Sequence, residues 1–147
     1  MELIDHCCLF LDGAIVQWTF WTGSGPRRLW KPIAIGTEKK HICRINLCQM
    51  MEISAVEEQS FSSYYYVNSF YISYSADGKT FQNINTSPVS TVLQNFRGTT
   101  SELSNKHNLP YHVTARFLRF HPLSWNKTYF PCMKVEIYGC VRNTPSA

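Results

Sequence analysis

The sequence predicts an all-β domain of the sandwich or barrel type. Several short segments alternate apolar and polar residues with a period of two, and turn residues separate these segments. No stretch shows the periodicity of an amphipathic helix. Aromatic side chains, which are enriched in strands, make up 14% of the 147 residues. This length suits one domain rather than two.

The most regular alternation covers residues 67–75. Phe70 and Ile72 fall on one face of the predicted strand, and serine and tyrosine residues alternate with them. The dipeptide Asp77-Gly78 follows, and it favours a hairpin because both residues tolerate positive φ. The return strand is expected to start near Phe81.

Two short apolar segments precede this hairpin in the chain. Residues 42–47 and 53–56 are predicted to be separate strands, joined by a turn over residues 48–52. The last predicted strand lies near residue 135, where three apolar side chains share one face: Met133, Val135 and Ile137.

Residues 115–121 predict a further strand that carries two arginines. Arg116 and Arg119 are three positions apart, so in a regular strand they point to opposite faces. One of them is therefore expected to point inward, or to lie at a sheet edge, with a partner for its charge.

Charge and cysteine content limit the classes of function. The net charge is +4, and the basic residues occur in scattered pairs. A nucleic-acid partner is therefore not expected, although a weak attraction to anionic membranes or acidic glycans is compatible with this charge. Six cysteines without a C-x-x-C pair favour disulfides and an oxidising compartment over zinc. No metal and no cofactor are expected.

The N-terminal segment does not look like a signal peptide. It lacks a basic start, and Asp5 and Asp12 interrupt its apolar stretch. No run of residues reaches the roughly 18 apolar residues of a membrane span. Secretion thus requires an export signal outside this chain, and otherwise the secreted interpretation is wrong.

Two motifs in the second half resemble a known family. Residues 66–81 read Y-V-N-S-F-Y-I-S-Y-S-A-D-G-K-T-F. Residues 115–122 read A-R-F-L-R-F-H-P, and Trp125 and the closing E-I-Y-G-C of residues 136–140 follow. In this order and spacing they resemble the discoidin family, the type C domains of coagulation factors V and VIII.

The first half of the chain resembles the family less closely. Arg28-Leu29, residues 44–47, Gln59 and the D-G-A-I of residues 12–15 match weaker family motifs, so the resemblance covers roughly residues 8–140. Residues 1–7 and 141–147 are then terminal extensions. Three departures concern the first half: Asn46 replaces the usual Asp, Cys48 replaces Gly, and the loop after Trp21 is short.

The resemblance implies an eight-stranded jelly-roll β-sandwich of the galactose-binding-domain-like type. It implies a non-catalytic, extracellular binding module, secreted or at the cell surface, whose loops at one end contact the ligand. The implied partner is a phosphatidylserine-like membrane surface, a glycan or an extracellular protein. A purely structural spacer domain and a sugar-specific lectin are the alternatives.

Three loops correspond to the binding end of the family, and each contains candidate ligand-binding residues. Residues 18–26 and 31–40 form the first two loops, and residues 59–65 form the third. Exposed rings or apolar tips ringed by cations suit a bilayer interface, and tyrosine with serine suits a sugar or protein contact. The alternatives are core packing for the first loop and plain surface for the second. The candidates are Trp18, Trp21, Ile33, Ile35, Phe61, Tyr64 and Tyr65.

The family resemblance pairs Cys140 with an opening cysteine, and Cys8 is favoured over Cys7 for that role. The pairing of the other four cysteines stays open: Cys7, Cys43, Cys48 and Cys132. Asn126 and Asn85 begin glycosylation sequons, which are meaningful only in an exported chain.

A catalytic role is not expected from the sequence. His121, Asp77 and several serines are present, but no nucleophile elbow or pair of carboxylates surrounds them.

Overall fold

The computed structural model describes residues 9–11, 14–16, 19–21, 27–35, 43–60, 62–100, 103–128 and 131–141. These residues form strands and no helix, so they include no helix that could cross a membrane. The predicted all-β class is confirmed. The strands are β1 Leu9–Leu11, β2 Ala14–Val16, β3 Thr19–Trp21, β4 Arg27–Ile35, β5 Cys43–Ser60, β6 Val67–Ser75, β7 Gln82–Asn83, β8 Phe96–Arg97, β9 Asn105–Trp125 and β10 Cys132–Val141.

The strands pair antiparallel in the order β2-β4-β10-β5-β9-β6-β7. Strands β5 and β9 contain 18 and 21 residues. A straight strand of that length would span roughly 60–70 Å, which exceeds the roughly 40 Å diameter of a domain of this size. Both strands therefore bend, and they carry the sheet over from one layer of the sandwich to the other.

The bend of β5 lies where its pairing register with β9 shifts. Asn46 pairs with Phe117 and Met51 pairs with Ala115, so β5 has extra residues at this point. The predicted turn over residues 48–52 between two strands is thus wrong. The extra residues are absorbed as an irregularity within one strand, because β9 continues to pair with β5 on both sides of them.

The core fills the space between the two layers. Phe70 of β6 is fully buried, and its ring centroid lies 5.5 Å from that of Phe96 and 5.9 Å from that of Phe120. The same ring lies 6.1 Å from His107, which belongs to the first half of β9 in the opposite layer. Phe70 and Ile72 are both buried, which confirms the predicted core face of β6.

Strand β10 lies between β4 and β5 and contributes the second core face. Met133, Val135 and Ile137 are at most 1% exposed, as their alternation predicts. The strand extends to Val141, one residue into the predicted terminal extension.

The two arginines of β9 do not follow the predicted alternation. Phe117 and Leu118 are both buried, so the alternation breaks between Arg116 and Arg119. Arg116 is exposed and donates from Nε to Asn46 Oδ1 at 3.2 Å. Arg119 lies over the Phe81 ring. The expectation that one of them points inward or lies at an edge is therefore wrong.

The hairpin after β6 forms as predicted. Gly78 has a φ of 78°, and the Asp77 carboxylate accepts hydrogen bonds from the backbone N–H groups of Thr80 and Lys79. These bonds lower the pKa of Asp77 to about 2. The return strand β7 begins at Gln82 and pairs with β6.

Candidate functional site

One end of the sandwich carries three connections between strands. Ile33, Met133 and Ser60 are aligned in one row across β4, β10 and β5, and the chain leaves the sheet just beyond this row. The described residues of the 61–66, 98–104 and 126–131 connections lie there, namely 62–66, 98–100, 103–104, 126–128 and 131. We call this surface the loop end.

Hydrogen bonds link the 61–66 and 126–131 connections to each other and attach the 98–104 connection to the sheet. The Ser60 N–H donates to Thr99 Oγ1 at 3.0 Å, and the Thr99 N–H donates to Glu58 Oε2 at 2.8 Å. Asn126 Nδ2 donates to the Tyr64 carbonyl at 3.0 Å. The loop end is therefore a preformed surface, which lowers the entropy cost of binding a ligand.

The 61–66 connection presents one of the predicted tyrosines to solvent. Ser62 Oγ accepts from the N–H groups of Tyr64 and Tyr65, each at 3.2 Å, which fixes the turn. The Tyr64 side chain is 62% exposed, whereas Tyr65 is half-buried. Phe61, also a predicted ligand-binding residue, lies outside the described residues.

The loop end also contains residues that the sequence did not single out for binding. Leu103 is 77% exposed, and Lys127 Nζ lies 3.2 Å from the centroid of the Trp125 ring. The sequence feature that could have indicated a binding role for Lys127 is its position just after a strand that ends in a tryptophan. An exposed apolar tip and a cation held on an aromatic ring thus accompany Tyr64.

A buried carboxyl group lies beneath this surface. Glu58 is 0% exposed, and its Oε1 has no hydrogen-bond partner among the described residues. Burial raises the pKa of Glu58 to about 7, against the opposing effect of the hydrogen bonds from Thr99. The 98–104 connection is therefore attached to β5 by a hydrogen bond to a carboxyl group, that of Glu58, which titrates near neutral pH.

Gly98 allows the 98–104 connection to approach β6 closely. Its N–H donates to the Asn68 carbonyl at 2.7 Å. A Cβ at position 98 would collide with the Val67 carbonyl oxygen. The absence of a side chain is therefore required at this position.

The structure corrects the predicted second loop. Ile33 and Ile35 lie within strand β4, where Ile33 pairs with Met133 on one side and with Val16 on the other. They are sheet residues rather than loop tips, although they lie near the loop end. Residues 36–40, which complete the predicted loop, lie outside the described residues.

The predicted first loop is corrected as well. Trp21 is the last residue of β3 and pairs with Arg28, which lies beside Tyr138 in β10. Tyr138 is five residues from Met133, so Trp21 lies roughly 17 Å along the sheet from the loop end. Trp21 therefore lies toward the opposite end of the sheet and does not join Tyr64. Trp18 lies outside the described residues.

The two predicted glycosylation sites lie at different ends. Asn126 belongs to the loop end, where its Oδ1 also accepts from the Thr128 N–H at 3.3 Å. Asn85 is half-buried beyond β7, and its Nδ2 donates to the Ser90 carbonyl at 3.0 Å. Glycosylation of either asparagine stays a prediction.

One serine–histidine contact lies on the outer face of β6 and β9. His121 Nε2 lies 2.8 Å from Ser73 Oγ, and the His121 ring stacks on Tyr71 with centroids 4.2 Å apart. Burial, followed by the charge of Arg119, lowers the pKa of His121 to about 4. The imidazole is thus a weak base, and Ser73 is only 2% exposed. Among the described residues no carboxylate contacts His121, so this contact is not that of an activated nucleophile.

Comparison with known proteins identifies the family. The model of the F5/8 type C domain matches residues 17–137 of the chain. The chain belongs to the F5/8 type C, or discoidin, family. The resemblance seen in the motifs of residues 66–81 and 115–140 is therefore confirmed.

Individual relatives of this F5/8 type C domain are distant. Human coagulation factor V is 29% identical over 112 residues, which cover 73% of this chain and 5% of that protein. Discoidin II of Dictyostelium discoideum superposes with a TM-score of 0.57 at 14% identity, over 71% of this chain and 39% of that structure. The CBM32 of AlyQ, in complex with 4,5-unsaturated mannuronic acid, gives a TM-score of 0.50 at 12% identity, over 84% of this chain and 92% of that structure. These neighbours confirm the jelly-roll sandwich.

In this F5/8 type C domain the first and last strands lie in line. Leu9 of β1 pairs with Ile45, and Val141 of β10 pairs with Met51, both on the edge of β5 that faces away from β9. Cys140 is exposed and forms no disulfide with a described residue. Cys8 lies outside the described residues, so the Cys8–Cys140 bond stays a prediction.

Proposed function

We propose that this chain is a non-catalytic, extracellular binding module whose loop end attaches it to an anionic phospholipid surface. The observation that supports it best is the combination of Tyr64, Leu103 and Lys127 on one preformed surface. The module itself is proposed to span residues 8–140.

The chemistry of the loop end suits a membrane interface. Tyrosine and leucine side chains are stabilised at the boundary between headgroups and acyl chains. A lysine near the surface adds about 1 kcal/mol of attraction to anionic lipid. Glu58 is buried beneath this surface and its pKa is raised to about 7, so this carboxyl group carries on average only about half a negative charge at neutral pH.

The F5/8 type C family match and the ligand-bound CBM32 neighbour support a binding role for this chain. The chain matches part of coagulation factor V, and it spans about 5% of that protein. The factor's other regions therefore have no counterpart in this chain, and the proposal concerns the binding module alone.

Vesicle binding tests the proposal. The chain is mixed with vesicles of phosphatidylcholine that contain or lack phosphatidylserine, and the bound fraction is measured by co-sedimentation. We expect binding only to the vesicles with phosphatidylserine. It should weaken when the salt concentration is raised from about 50 to 500 mM, because salt screens the lysine.

Matched variants locate the binding surface. Tyr64→Ala and Leu103→Ser should each reduce the affinity roughly tenfold, which corresponds to about 1.4 kcal/mol. Val89→Ser is the control, since Val89 is 94% exposed and lies away from the loop end. Equal binding to both kinds of vesicle, or a loss with Val89→Ser alone, would overturn the proposal.

A glycan ligand is the second candidate for the loop end, because the CBM32 of AlyQ was solved with 4,5-unsaturated mannuronic acid. Binding to a glycan array that is lost in Tyr64→Ala, together with no detectable binding to vesicles, would favour this candidate. No binding to either the vesicles or the glycan array would favour a structural spacer domain.

A further inference from the structure

A cleft opens at the opposite end of the sandwich from the loop end. It has a volume of about 640 Å³ and lies between β6 and β7 on one side and the first half of β9 on the other. Its walls consist mainly of neutral polar side chains: Tyr74, Gln82, Asn83, Asn85, Thr91 and Tyr111.

Strand positions separate the cleft from the loop end. Tyr74 is seven residues along β6 from Val67, and Thr114 is nine residues along β9 from Asn105. At 3.2–3.4 Å per residue, these distances exceed roughly 20 Å. A ligand of the cleft would therefore not contact Tyr64 or Lys127.

An irregularity in β9 brings two cleft residues into position. Asn108 pairs with Ala55 and Val113 pairs with Ile53, so four residues of β9 lie opposite one residue of β5. Tyr111 and His112 belong to this bulge. Bulges redirect side chains away from the regular sheet faces and are frequent beside functional sites.

Hydrogen bonds fix the two tyrosines that face each other across the cleft. The Tyr74 hydroxyl donates to Gln82 Oε1 at 3.0 Å, and the Asn85 N–H donates to the Tyr111 hydroxyl oxygen at 2.9 Å. Burial, followed by the neighbouring Tyr111, raises the pKa of Tyr74 above its ordinary value. Tyr74 therefore keeps its proton at neutral pH and remains a hydrogen-bond donor.

Several polar groups of the cleft remain available to a ligand. The Tyr111 hydroxyl uses its oxygen as an acceptor, and Gln82 uses its Oε1, so the Tyr111 O–H and Gln82 Nε2 can still donate. The Asn83 side chain makes no hydrogen bond with a described residue and is exposed. Amides of this kind offer a donor and an acceptor side by side, which matches a pair of neighbouring sugar hydroxyls.

The lining carries no full charge that would select an ion. Among the residues that the structure describes, it includes no Lys, Arg, Asp or Glu. His112 also lines the cleft, and its Nδ1 contacts Glu52 Oε1 at 3.0 Å. A phosphate or carboxylate ligand would lack a cation here, and an apolar ligand would bury unsatisfied hydroxyl and amide groups.

We propose that this cleft binds a neutral saccharide. The apolar surfaces of the tyrosine rings pack against the C–H groups of the sugar. The side-chain amides and the Tyr111 hydroxyl form hydrogen bonds with its hydroxyl groups. The cleft acts independently of the loop end.

NMR titration of the ¹⁵N-labelled chain with galactose, mannose and N-acetylglucosamine tests the proposal. At least one of these sugars, added up to about 50 mM, should shift the amide signals of residues 82–85 and 111–114 with a Kd on the order of millimolar. Asn83→Ala and Gln82→Ala should each weaken this binding about fivefold or more while the dispersion of the spectrum is kept.

Two controls make the outcome decisive. Asn68→Ala removes an exposed asparagine near the loop end and should leave the Kd unchanged. Glucuronate, an anionic sugar, should bind no more tightly than the neutral sugars. The inference is overturned if none of the three sugars shifts these signals. It is also overturned if Tyr64→Ala abolishes sugar binding while Asn83→Ala and Gln82→Ala do not, since the sugar then occupies the loop end.

Discussion

The guanidinium carbon of Arg119 lies 3.6 Å from the centroid of the Phe81 ring. Arg119 is also the cross-strand neighbour of Arg44 in β5, and like charges opposite each other destabilise a sheet. Arg44 in turn lies 4.8 Å from the centroid of Phe117. The aromatic faces thus offset a repulsion that the pairing of β5 with β9 imposes.

Replacement of Phe81 should reveal this compensation. We expect Phe81→Ala to lower the free energy of unfolding by about 2 kcal/mol, and Phe81→Leu by about 1 kcal/mol, because leucine restores apolar volume but offers no π face. Phe81→Trp should be nearly neutral. Urea denaturation measures all three variants, and equal stability of Phe81→Leu and the parent chain would contradict the cation–π explanation.

The buried Phe70 provides the contrast to the exposed residues of the loop end. Phe70→Ala should cost roughly 3–5 kcal/mol, since the ring is 0% exposed and touches both layers. Tyr64→Ala should change stability by less than about 1 kcal/mol. Thermal denaturation distinguishes them, and comparable losses for both variants would place Tyr64 in the core.

Glu58 should make stability depend on pH. Its pKa is raised from 4.5 to about 7 on folding, so its contribution to the free energy of unfolding is fully present below pH 4.5 and is lost as the pH rises through 7. Glu58→Gln should remove this dependence and be more stable than the parent chain at pH 8, by on the order of 2 kcal/mol. Denaturation curves at several pH values between 4.5 and 8 provide the measurement.

His121 changes stability in the opposite direction and must be separated from Glu58. Its pKa is lowered from 6.5 to about 4, so its contribution is present above pH 6.5 and is lost as the pH falls through 4. The parent chain and the Glu58→Gln variant both retain His121. The difference between their stability–pH profiles therefore isolates the contribution of Glu58. A difference that does not vary with pH would show that Glu58 does not titrate in this range.

The predicted Cys8–Cys140 bond should stabilise the domain. It would close a loop of more than a hundred residues, which corresponds to about 5 kcal/mol in the chain-entropy model. Cys8→Ser and Cys140→Ser should each cost this amount, with no further loss in the double variant, whereas Cys7→Ser should be neutral. Peptide mapping without reduction identifies the bond, and a free Cys140 thiol in exported protein would refute it.

Glycosylation of Asn126 should compete with binding at the loop end, because Asn126 Nδ2 contacts the Tyr64 carbonyl. Thr128→Ala removes the sequon but keeps Asn126. In protein from a glycosylating host, this variant should bind phosphatidylserine vesicles more tightly than the parent chain. In protein from a host without glycosylation the two should bind equally, and a difference there would point to the threonine itself.

The sequence predicted the elements that depend on local pattern. β6, β10 and the Asp77-Gly78 turn follow from alternation and from turn chemistry, and both motifs of the family lie in them or in β9. Strand β4 was missed because residues 31–40 were predicted to form a loop, and Pro32 is a residue that interior strands disfavour. In the structure Pro32 lies within β4 and pairs with Lys134 of β10.

The candidate site was predictable only in part. Tyr64 and Tyr65 were recognised because aromatic and serine residues cluster in one short segment. Leu103 and Lys127 were not, because they reach the loop end only through the pairing of strands that are distant in the chain. The cleft depends on the bulge that carries Tyr111, which no periodicity in the sequence reveals.

The pairing of β5 with β9 has a kinetic consequence. Residues 61–104 separate these strands, yet both layers are built on them, so neither layer is complete until this long loop closes. A domain with such non-local pairing folds in about milliseconds to seconds, and its two halves gain and lose structure together. Amide hydrogen exchange should therefore give one common opening rate for the central residues of β5, β6 and β9, with no independently stable half.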